Sequence, residues 1–300
     1  MTAGASGVLL LDKPRGLTSQ QAVSLVKRLL SATKAGHTGT LDPMAQGLLP
    51  IGLGEATKYS RFLLDADKSY MARVRLGQTT DTGDAEGCIK SERPVAVTEP
   101  QLLAVLSRFT GPLFQLPPMH SALKVRGRPL YSYAREGQTL ERSPRPVLIR
   151  KLQLIDFNDK NFQFRVHCSK GTYIRVLAED IGEALGCGAH LEALCRESTG
   201  GFRLDQAISL PDLQALTPPA RFNRVLPVDT FASALPELRL DARESARIRS
   251  GQRLPTPVAS GFYRLYDDAG YFLGVGEAGE AGLAATRLMA TDALAAPVTP

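Results

Sequence analysis

The chain has 300 residues, of which 43% are hydrophobic, and a formal net charge of +6 at pH 7. This length fits one large domain with a small one, or two medium domains, and the positive charge is typical of proteins with polyanionic partners. No run of 18 apolar residues occurs, so we expect no membrane span. The four cysteines form no CxxC pair, which argues against structural zinc and favours the reduced thiols of a cytoplasmic protein.

The first half of the chain predicts a strand, a helix, a glycine-rich loop and a second strand. The apolar run at residues 8–11 predicts a buried strand, and a capping box followed by apolar residues at helical spacing predicts a helix over residues 19–30. The loop is GHTGTLDPMAQGLLPIGLG, residues 36–54. Strict alternation in SYMARVRLG, residues 69–77, predicts a strand with Tyr70 on its apolar face.

Helices and strands continue in the second half without a regular βαβ rhythm. The predicted elements are a helix over 99–109, strands over 146–157 and 162–170, and a helix that opens near Gly171 and ends at Gly186. This irregular order favours an α+β fold with a mainly antiparallel sheet.

The last third of the chain predicts a connector and a small separate unit. Residues 210–236 are rich in proline and predict the connector, and residues from 238 onward predict a barrel-like unit with one helix and several strands. A GxGxxG match at 274–279 is followed by only 21 residues, which is too short for a dinucleotide-binding unit.

Asp42 is the single carboxylate of the glycine-rich loop, where its neighbours are small or apolar. Pro43 biases it toward an extended backbone, while Gly36, Gly39 and Gly47 permit positive φ angles and close backbone approach. A carboxylate in such surroundings can act as a nucleophile, a general base or an electrostatic stabiliser. The alternative is a structural turn, because Asp before Pro commonly starts one.

Two distant side chains are candidate partners for this carboxylate. Arg175 lies in the first turn of the helix that opens near Gly171, where a cation opposes the helix dipole. It either pairs with a buried carboxylate or a phosphate, or is a solvated arginine. Tyr70 either stacks on a planar ligand or is an ordinary core aromatic. The residues alone leave both choices open.

Positive charge is concentrated in residues 119–150, which are predicted to extend away from the core. The cations of this segment are Lys124, Arg126, Arg128, Arg135, Arg142, Arg145 and Arg150, against two acids, Glu136 and Glu141. Such a segment either grips a nucleic-acid backbone or forms a solvated face.

Together these features resemble the bacterial tRNA pseudouridine-55 synthases, the TruB family. The matching segments cover most of residues 7–202 and are GVLLLDKPRGLTS, GHTGTLDPMAQGLLPIGLGEATK, DKSYMARVRLGQTTDTGDAEG, SALKVRGRPLYSYAREG, HCSKGTYIRVLAEDIG and CGAHLEALCRESTG. HTGTLDP together with KGTYIR is highly specific. The C-terminal match is looser and is similar to the small PUA RNA-binding module.

The resemblance implies an α+β pseudouridine synthase fold, with a mainly antiparallel mixed central sheet flanked by helices, plus a PUA-like β-barrel module. The catalytic domain would span residues 1–235 with a basic lid at 119–146, and the RNA-binding module residues 236–300. Family members often carry Ala where this chain has Thr40, a small change. LAAPVTP, at the C-terminus, matches no motif and is expected to be disordered.

The implied activity is isomerisation of uridine 55 in the TΨC loop of tRNA. The N1–C1′ bond breaks, the uracil turns, and C5 bonds to C1′, which requires no metal, nucleotide or other cofactor. The implied partners are the T arm and acceptor stem of tRNA, with no membrane and no protein partner, for a monomeric cytoplasmic enzyme. Two other classes stay open: a synthase that works within a guide-RNA particle, and a non-catalytic RNA-binding or RNA-folding protein.

By the resemblance, the catalytic residues are Asp42, Tyr70 and Arg175. Asp42 is the catalytic aspartate, and Arg175 pairs with it and lowers its pKa against desolvation. Tyr70 stacks on the uracil and mediates proton removal from C5.

The resemblance also implies residues that bind the substrate. Tyr173 and Leu194 line the uridine pocket, His37 packs against the flipped nucleotide, and Lys13 supports the first strand and the pocket. The implied contacts to RNA phosphates are Lys124, Arg126 and Arg128.

Overall fold

The computed structural model describes residues 4–255 and 258–290, so the terminal LAAPVTP lies outside the described residues. The strands, in chain order, are β1 (Gly7–Lys13), β2 (Ala35–His37), β3 (Gln46–Leu53), β4 (Lys68–Leu76), β5 (Gln78–Thr80), β6 (Ile89–Glu92), β7 (Gly111–Gln115), β8 (Lys124–Val125), β9 (Arg128–Pro129), β10 (Arg145–Phe157), β11 (Asn161–Cys168), β12 (Ala189–Thr199), β13 (Phe202–Arg203), β14 (Ile208–Ser209), β15 (Glu237–Arg239), β16 (Gly261–Tyr266), β17 (Phe272–Gly279) and β18 (Gly282–Leu288). The α-helices are α1 (Ser19–Leu29), α2 (Arg61–Leu64), α3 (Glu99–Arg108), α4 (Leu130–Arg135), α5 (Ile174–Ala184), α6 (Leu210–Ala215), α7 (Pro218–Phe222) and α8 (Ala242–Arg249). Short 3₁₀ helices lie at Gly54–Tyr59, Leu204–Gln206 and Val228–Ala232.

A ten-stranded mixed sheet forms the body, in the order β14-β1-β3-β12-β4-β11-β10-β7, with β2 beside β3 and β13 beside β12. Strand β1 pairs in parallel with β14, and β3 pairs in parallel with β12. The other described pairings of this sheet are antiparallel. The α+β class and the mainly antiparallel mixed sheet are therefore confirmed.

Both faces of the sheet are covered at β1 and β3. Leu9 and Leu11 of β1 point into the main core with α1, whereas Val8 and Leu10 point into a second core that includes Phe231. Strands covered on both faces read as continuous apolar runs rather than as alternating ones. This explains why VLLL in β1 shows no alternation.

The two predicted helices next to the glycine-rich loop and the KGTYIR segment are confirmed. Helix α1 begins after Thr18, whose hydroxyl accepts the Gln21 N–H at 3.1 Å while the Gln21 side chain accepts the Thr18 N–H at 2.9 Å. Helix α5 ends just before Gly186, which has φ +82° and supplies the left-handed residue that commonly follows a helix.

The proline-rich segment 210–236 is packed structure, so its prediction as a bare connector is wrong. Prolines lie in the first turn of α6 and of α7, where their missing N–H and fixed φ are tolerated. Leu226 exchanges two backbone hydrogen bonds with Val8, at 2.9 and 2.8 Å. Phe231 and Ala232 are buried in the second core. The segment therefore covers the outer face of β1.

The C-terminal unit packs on the same second core. The described residues of this unit form a four-stranded sheet in the order β15-β16-β17-β18, which does not close into a barrel. Tyr59 meets Phe272 edge to face, with ring centroids 5.2 Å apart. The GVGEAG match lies within β17, as expected of a motif without nucleotide-binding context.

The chain leaves the sheet after Gln115, at the end of β7, and returns at Arg145, where β10 begins. Nearly all of the predicted lid, residues 119–146, lies in this excursion. It contains the β8–β9 hairpin, turned by Arg126 (φ +51°) and Gly127 (φ +80°), followed by α4. Positive φ at both central residues is typical of the tight turns of two-residue hairpins. Within the described residues, no helix is long and apolar enough to cross a membrane.

Gly47 makes the close approach between β3 and β12 possible. It has φ +103°, and a Cβ atom there would lie 2.5 Å from the Arg196 carbonyl oxygen and 2.8 Å from its nitrogen. We expect Gly47→Ala to lower the free energy of unfolding by about 2–6 kcal/mol, from backbone strain and overpacking of about 1–3 kcal/mol each. Urea unfolding measures this change.

Gly36→Ala is the matched control for this prediction. Gly36 lies in the same glycine-rich loop, but its φ is not positive, and a Cβ atom there would meet no neighbouring group within 4 Å. We expect its stability to change by less than about 1 kcal/mol. Equal stability of the two variants would contradict the steric role of Gly47.

Candidate active site

A cavity of about 270 Å³ opens between the loop after β2, the start of β4, the first turn of α5 and the lid. Five of the predicted site residues line it: Asp42, Tyr70, Tyr173, Arg175 and Leu194. Thr40 and the lid residues Ser121 and Ala122 also face it. The structure thus brings together predicted residues from four separate segments of the chain.

The loop that carries Asp42 is anchored to the start of α1. The Ser19 hydroxyl donates to the Leu41 carbonyl at 2.9 Å and accepts the Leu41 N–H at 2.8 Å. Ala45 donates its N–H to the Asp42 carbonyl at 3.1 Å, so Asp42 also begins a turn. The structural turn is therefore present, and Asp42 also lines the cavity.

Arg175 is buried and contacts three parts of the chain. Its Nε lies 3.0 Å from Oδ2 of Asp42 and 3.6 Å from Oδ2 of Asp84. Its Nη1 donates to the Thr82 carbonyl at 2.9 Å, and its Nη2 donates to the lid carbonyl of His120 at 2.6 Å. The solvated alternative for this arginine is excluded, since only 5% of its side chain is exposed.

The surroundings of Asp42 disfavour its charge overall. Burial raises the pKa of this carboxyl above its usual 3.8, the Arg175 guanidinium opposes that rise, and the carboxylate of Asp84 adds to it. Arg175 acts in the direction the sequence predicted, yet desolvation is the larger effect. The exposed part of the side chain, 36%, faces the cavity.

Tyr70, Tyr173 and Leu194 form a largely apolar wall. Tyr70 is 7% exposed and lies on the buried face of β4, as its alternation predicts. Tyr173 precedes α5, and its backbone N–H and carbonyl both bond to the buried side chain of Gln115, at 2.9 and 3.2 Å. These bonds tie the root of the lid to the start of α5. Burial raises the pKa of the Tyr70 phenol.

Lys13 and His37 are not among the residues that line the cavity. The Lys13 ammonium is fully buried and donates to the carbonyls of Pro14 and Leu17, at 2.8 and 2.7 Å. It thus braces the turn that leads to Ser19 and the Asp42 loop, and burial lowers its pKa to about 8. His37 ends β2, and its Nδ1 accepts the Gly39 N–H at 3.3 Å.

The three lid cations lie outside the cavity. Lys124, Arg126 and Arg128 are exposed on the β8–β9 hairpin. Arg128 pairs with Glu136 and stacks over the Tyr133 ring, 4.6 Å from its centroid. Among the described ion pairs, neither Lys124 nor Arg126 takes part in one. No cluster of metal-ligating side chains occurs among the described residues.

Sequence reasoning missed three charged residues of the site: Lys68, Asp84 and Arg196. Lys68 lies two residues before Tyr70 on the same buried face, so the alternation could have revealed it. Burial and nearby Arg196 lower its pKa to about 8. Alternation along β12 does not predict that Arg196 faces inward, because a bulge after Leu191 reverses which residues of this strand face inward. The place of Asp84 in the site is visible only in the tertiary structure, where its Oδ2 lies 3.6 Å from Nε of Arg175.

Comparison with known families covers nearly the whole chain. The model of the TruB family pseudouridylate synthase N-terminal domain matches residues 27–174. The tRNA pseudouridylate synthase B C-terminal domain matches residues 175–231, and the pseudouridine synthase II TruB C-terminal model matches residues 236–289.

Relatives and solved structures agree with these matches. The tRNA pseudouridine synthase B of Azoarcus sp. (strain BH72) is 54% identical over 287 residues, 95% of either chain. That of Methylobacillus flagellatus is 51% identical over 289 residues, 96% of either chain. A chain in the crystal structure of a Cbf5-Nop10-Gar1 complex superposes with a TM-score of 0.72 at 25% identity, over 96% of this chain and 86% of that one.

The fold and these matches define the class of the protein as a pseudouridine synthase. With more than half of its residues identical to a relative over nearly its full length, the chain belongs to the TruB family.

We predict that the carboxyl of Asp42 titrates above pH 3.8 in the folded protein, because burial outweighs Arg175. Arg175→Gln removes the main influence that lowers this pKa, so the titration midpoint should move to still higher pH. A carbon-13 NMR titration of labelled aspartate measures both midpoints.

Asp205 is the internal reference for this titration. Its exposed carboxylate pairs with Arg203, which lowers its pKa, and the pair is separate from the cavity. Its midpoint should stay constant in Arg175→Gln. A midpoint of Asp42 that falls on loss of Arg175 would contradict the assigned electrostatics.

Proposed function

We propose that the protein is a tRNA pseudouridine synthase that isomerises uridine 55 of the TΨC loop to pseudouridine. The observation that carries this proposal is the ion pair of the buried Arg175 with Asp42, whose Nε and Oδ2 atoms lie 3.0 Å apart. Both residues line a cavity of about 270 Å³. The names and the identity of the relatives support the same activity.

Asp42 supplies the carboxylate for breaking the N1–C1′ bond. It either attacks C1′ of the ribose or removes the proton at C2′, and both routes require the ionised form. The pKa of Asp42 is raised by burial, which makes the carboxylate more basic, while Arg175 keeps it ionised and oriented. Arg175 is thus the positioning partner of the reacting group.

The apolar wall receives the uracil ring. Tyr70 stacks on the base and mediates removal of the C5 proton, and Tyr173 and Leu194 complete the pocket. A base within a folded T loop reaches such a pocket only by flipping out, at a cost of about a few kcal/mol. His37 packs against the flipped nucleotide, and Lys13 braces the pocket from behind.

The lid and the C-terminal unit provide the grip on tRNA. The cations Lys124, Arg126 and Arg128 contact phosphates of the T arm, for which their exposure on a protruding hairpin is suitable. Residues 1–235 form the catalytic domain, and residues 236–300 form a PUA-like module that reaches the acceptor-stem side. The enzyme acts as a cytoplasmic monomer without a protein partner.

We expect Asp42→Asn to abolish conversion of uridine in an isolated T-arm hairpin. The amide can neither attack C1′ nor accept a proton, so the single-turnover rate constant should fall by about 10³-fold or more. Mapping of pseudouridine in the treated RNA measures the product. RNA binding should remain, because the substitution preserves shape.

Asp205→Asn, which removes an exposed carboxylate outside the cavity, should leave the rate unchanged. Retained turnover by Asp42→Asn would contradict the proposed role of the Asp42 carboxylate. Full activity of the lone wild-type chain on the hairpin would exclude dependence on a guide-RNA particle, the rival class that the resemblance leaves open. Unchanged tRNA refolding in the presence of Asp42→Asn would exclude a separate folding role.

We expect the triple variant Lys124→Gln, Arg126→Gln, Arg128→Gln to bind tRNA more weakly and with less salt dependence. The slope of log K against log salt concentration should fall by about two, since each phosphate contact contributes about 0.7–0.9. Lys124 and Arg126 should account for most of the loss, because Arg128 already pairs with Glu136.

Lys27→Gln with Arg28→Gln is the control for general charge, since both side chains are exposed near the end of α1. This variant should keep the wild-type slope. An unchanged affinity of the triple lid variant at low salt would overturn the role of the lid.

A further inference from the structure

Arg196 is a buried cation without a carboxylate partner. It is 1% exposed, and it takes part in none of the ion pairs of residues 4–255 and 258–290. Burial of an uncompensated charge is costly, so buried guanidinium groups normally pair with an anion. Arg175, on the other side of the cavity, has two carboxylates within 4 Å.

Two backbone carbonyls fix the Arg196 guanidinium in place. Its Nε donates to the Leu48 carbonyl at 2.7 Å, and its Nη2 donates to the Gly39 carbonyl at 3.2 Å. These bonds hold it between β3 and the loop that carries Asp42. They satisfy N–H groups of the arginine but leave its charge without a counter-ion.

The group that faces this charge is the phenol of Tyr70. In the antiparallel pair of β12 and β4, Arg196 lies directly opposite Tyr70, where side chains of the same face are in contact. Both side chains line the cavity, and the positive charge of Arg196 favours the phenolate form of Tyr70.

The other charged and titratable groups around the phenol do not replace Arg196. Asp42 and the thiol of Cys168 disfavour a phenolate, as burial does, and all three raise the pKa of Tyr70. Arg196 is the largest influence that lowers this pKa. Lys68 shares the cavity, but its ammonium donates to the Ala66 carbonyl at 2.7 Å.

We propose that Arg196 is the positioning residue of Tyr70, holding the phenol oxygen in place and serving as the counter-ion of its phenolate form. This inference rests on the proposed function. It gives a reason for a lone buried guanidinium at the cavity, where the reaction needs a base besides Asp42.

The step concerned follows the joining of C5 to C1′. N1 takes a proton from water, and the hydroxide formed removes the phenol proton of Tyr70. The phenolate oxygen then takes the C5 proton, and the C5–H electron pair forms the C5–C6 double bond. The π pair of the C6–N1 double bond moves to N1, so the phenol is restored and protons and electrons balance.

The test is a double-mutant cycle with Arg196→Lys and Tyr70→Phe, measured as single-turnover rate constants on a T-arm hairpin with saturating protein. With Tyr70 present, Arg196→Lys should slow conversion by about tenfold or more, because a single ammonium replaces a fixed fork. In the Tyr70→Phe background the same change should cost less than about twofold. RNA affinity should stay unchanged in Arg196→Lys.

A second readout identifies the step. If Arg196→Lys slows proton removal, RNA with deuterium at C5 of the target uridine should react more slowly than protiated RNA with this variant. Arg73→Lys, at an exposed arginine of β4 paired with Glu192, should match the wild type.

Three outcomes would overturn the role of Arg196. They are an undiminished rate in Arg196→Lys, an equal fold-loss with and without the Tyr70 hydroxyl, and equal rates for deuterated and protiated RNA in Arg196→Lys. Turnover by the wild-type protein in the same assay tests the proposed function separately. Failure of the role assigned to Arg196 is thereby distinguished from failure of the proposed function.

Discussion

The geometry of the site depends on the ion pairs and hydrogen bonds of the buried Arg175 guanidinium. This guanidinium joins the glycine-rich loop through Asp42, the segment after β5 through Thr82 and Asp84, and the predicted lid through the His120 carbonyl. Because a buried arginine must satisfy its donors and its charge, these segments are held in one arrangement. The dipole penalty of a cation in the first turn of α5 is small beside this requirement.

The sheet supplies the rigidity that this pairing needs. Strands β4 and β12 carry Tyr70, Leu194 and Arg196 into the cavity from neighbouring ladder positions, so their spacing follows from backbone hydrogen bonds. The Asp42 loop is less regular and is held at several points, by Ser19 through Leu41 and by Arg196 through Gly39. Reacting groups on such braced elements lose little by reorganisation during catalysis.

The cavity separates its charges by position. The Asp42–Arg175 pair lies beside the first turn of α5, and the cations Lys68 and Arg196 lie beside the β4–β12 ladder. Burial shifts the pKa values of Asp42, Lys68 and Tyr70 toward their neutral forms. Such opposed environments suit a reaction in which charge moves from a carboxylate to a uracil ring and back.

The sequence by itself determined the local helices and strands and the candidate site residues that they carry. The capping box of α1, the alternation around Tyr70 and the glycine after α5 all follow from short-range rules, and the structure has them as predicted. Family motifs singled out Asp42 and Arg175. The tertiary structure alone decided that Asp84 joins Arg175, and that the proline-rich segment covers β1. It also decided that a bulge in β12 turns Arg196 inward. Local periodicity does not encode these features, because strand register and long-range ion pairs depend on contacts between residues that are distant in sequence.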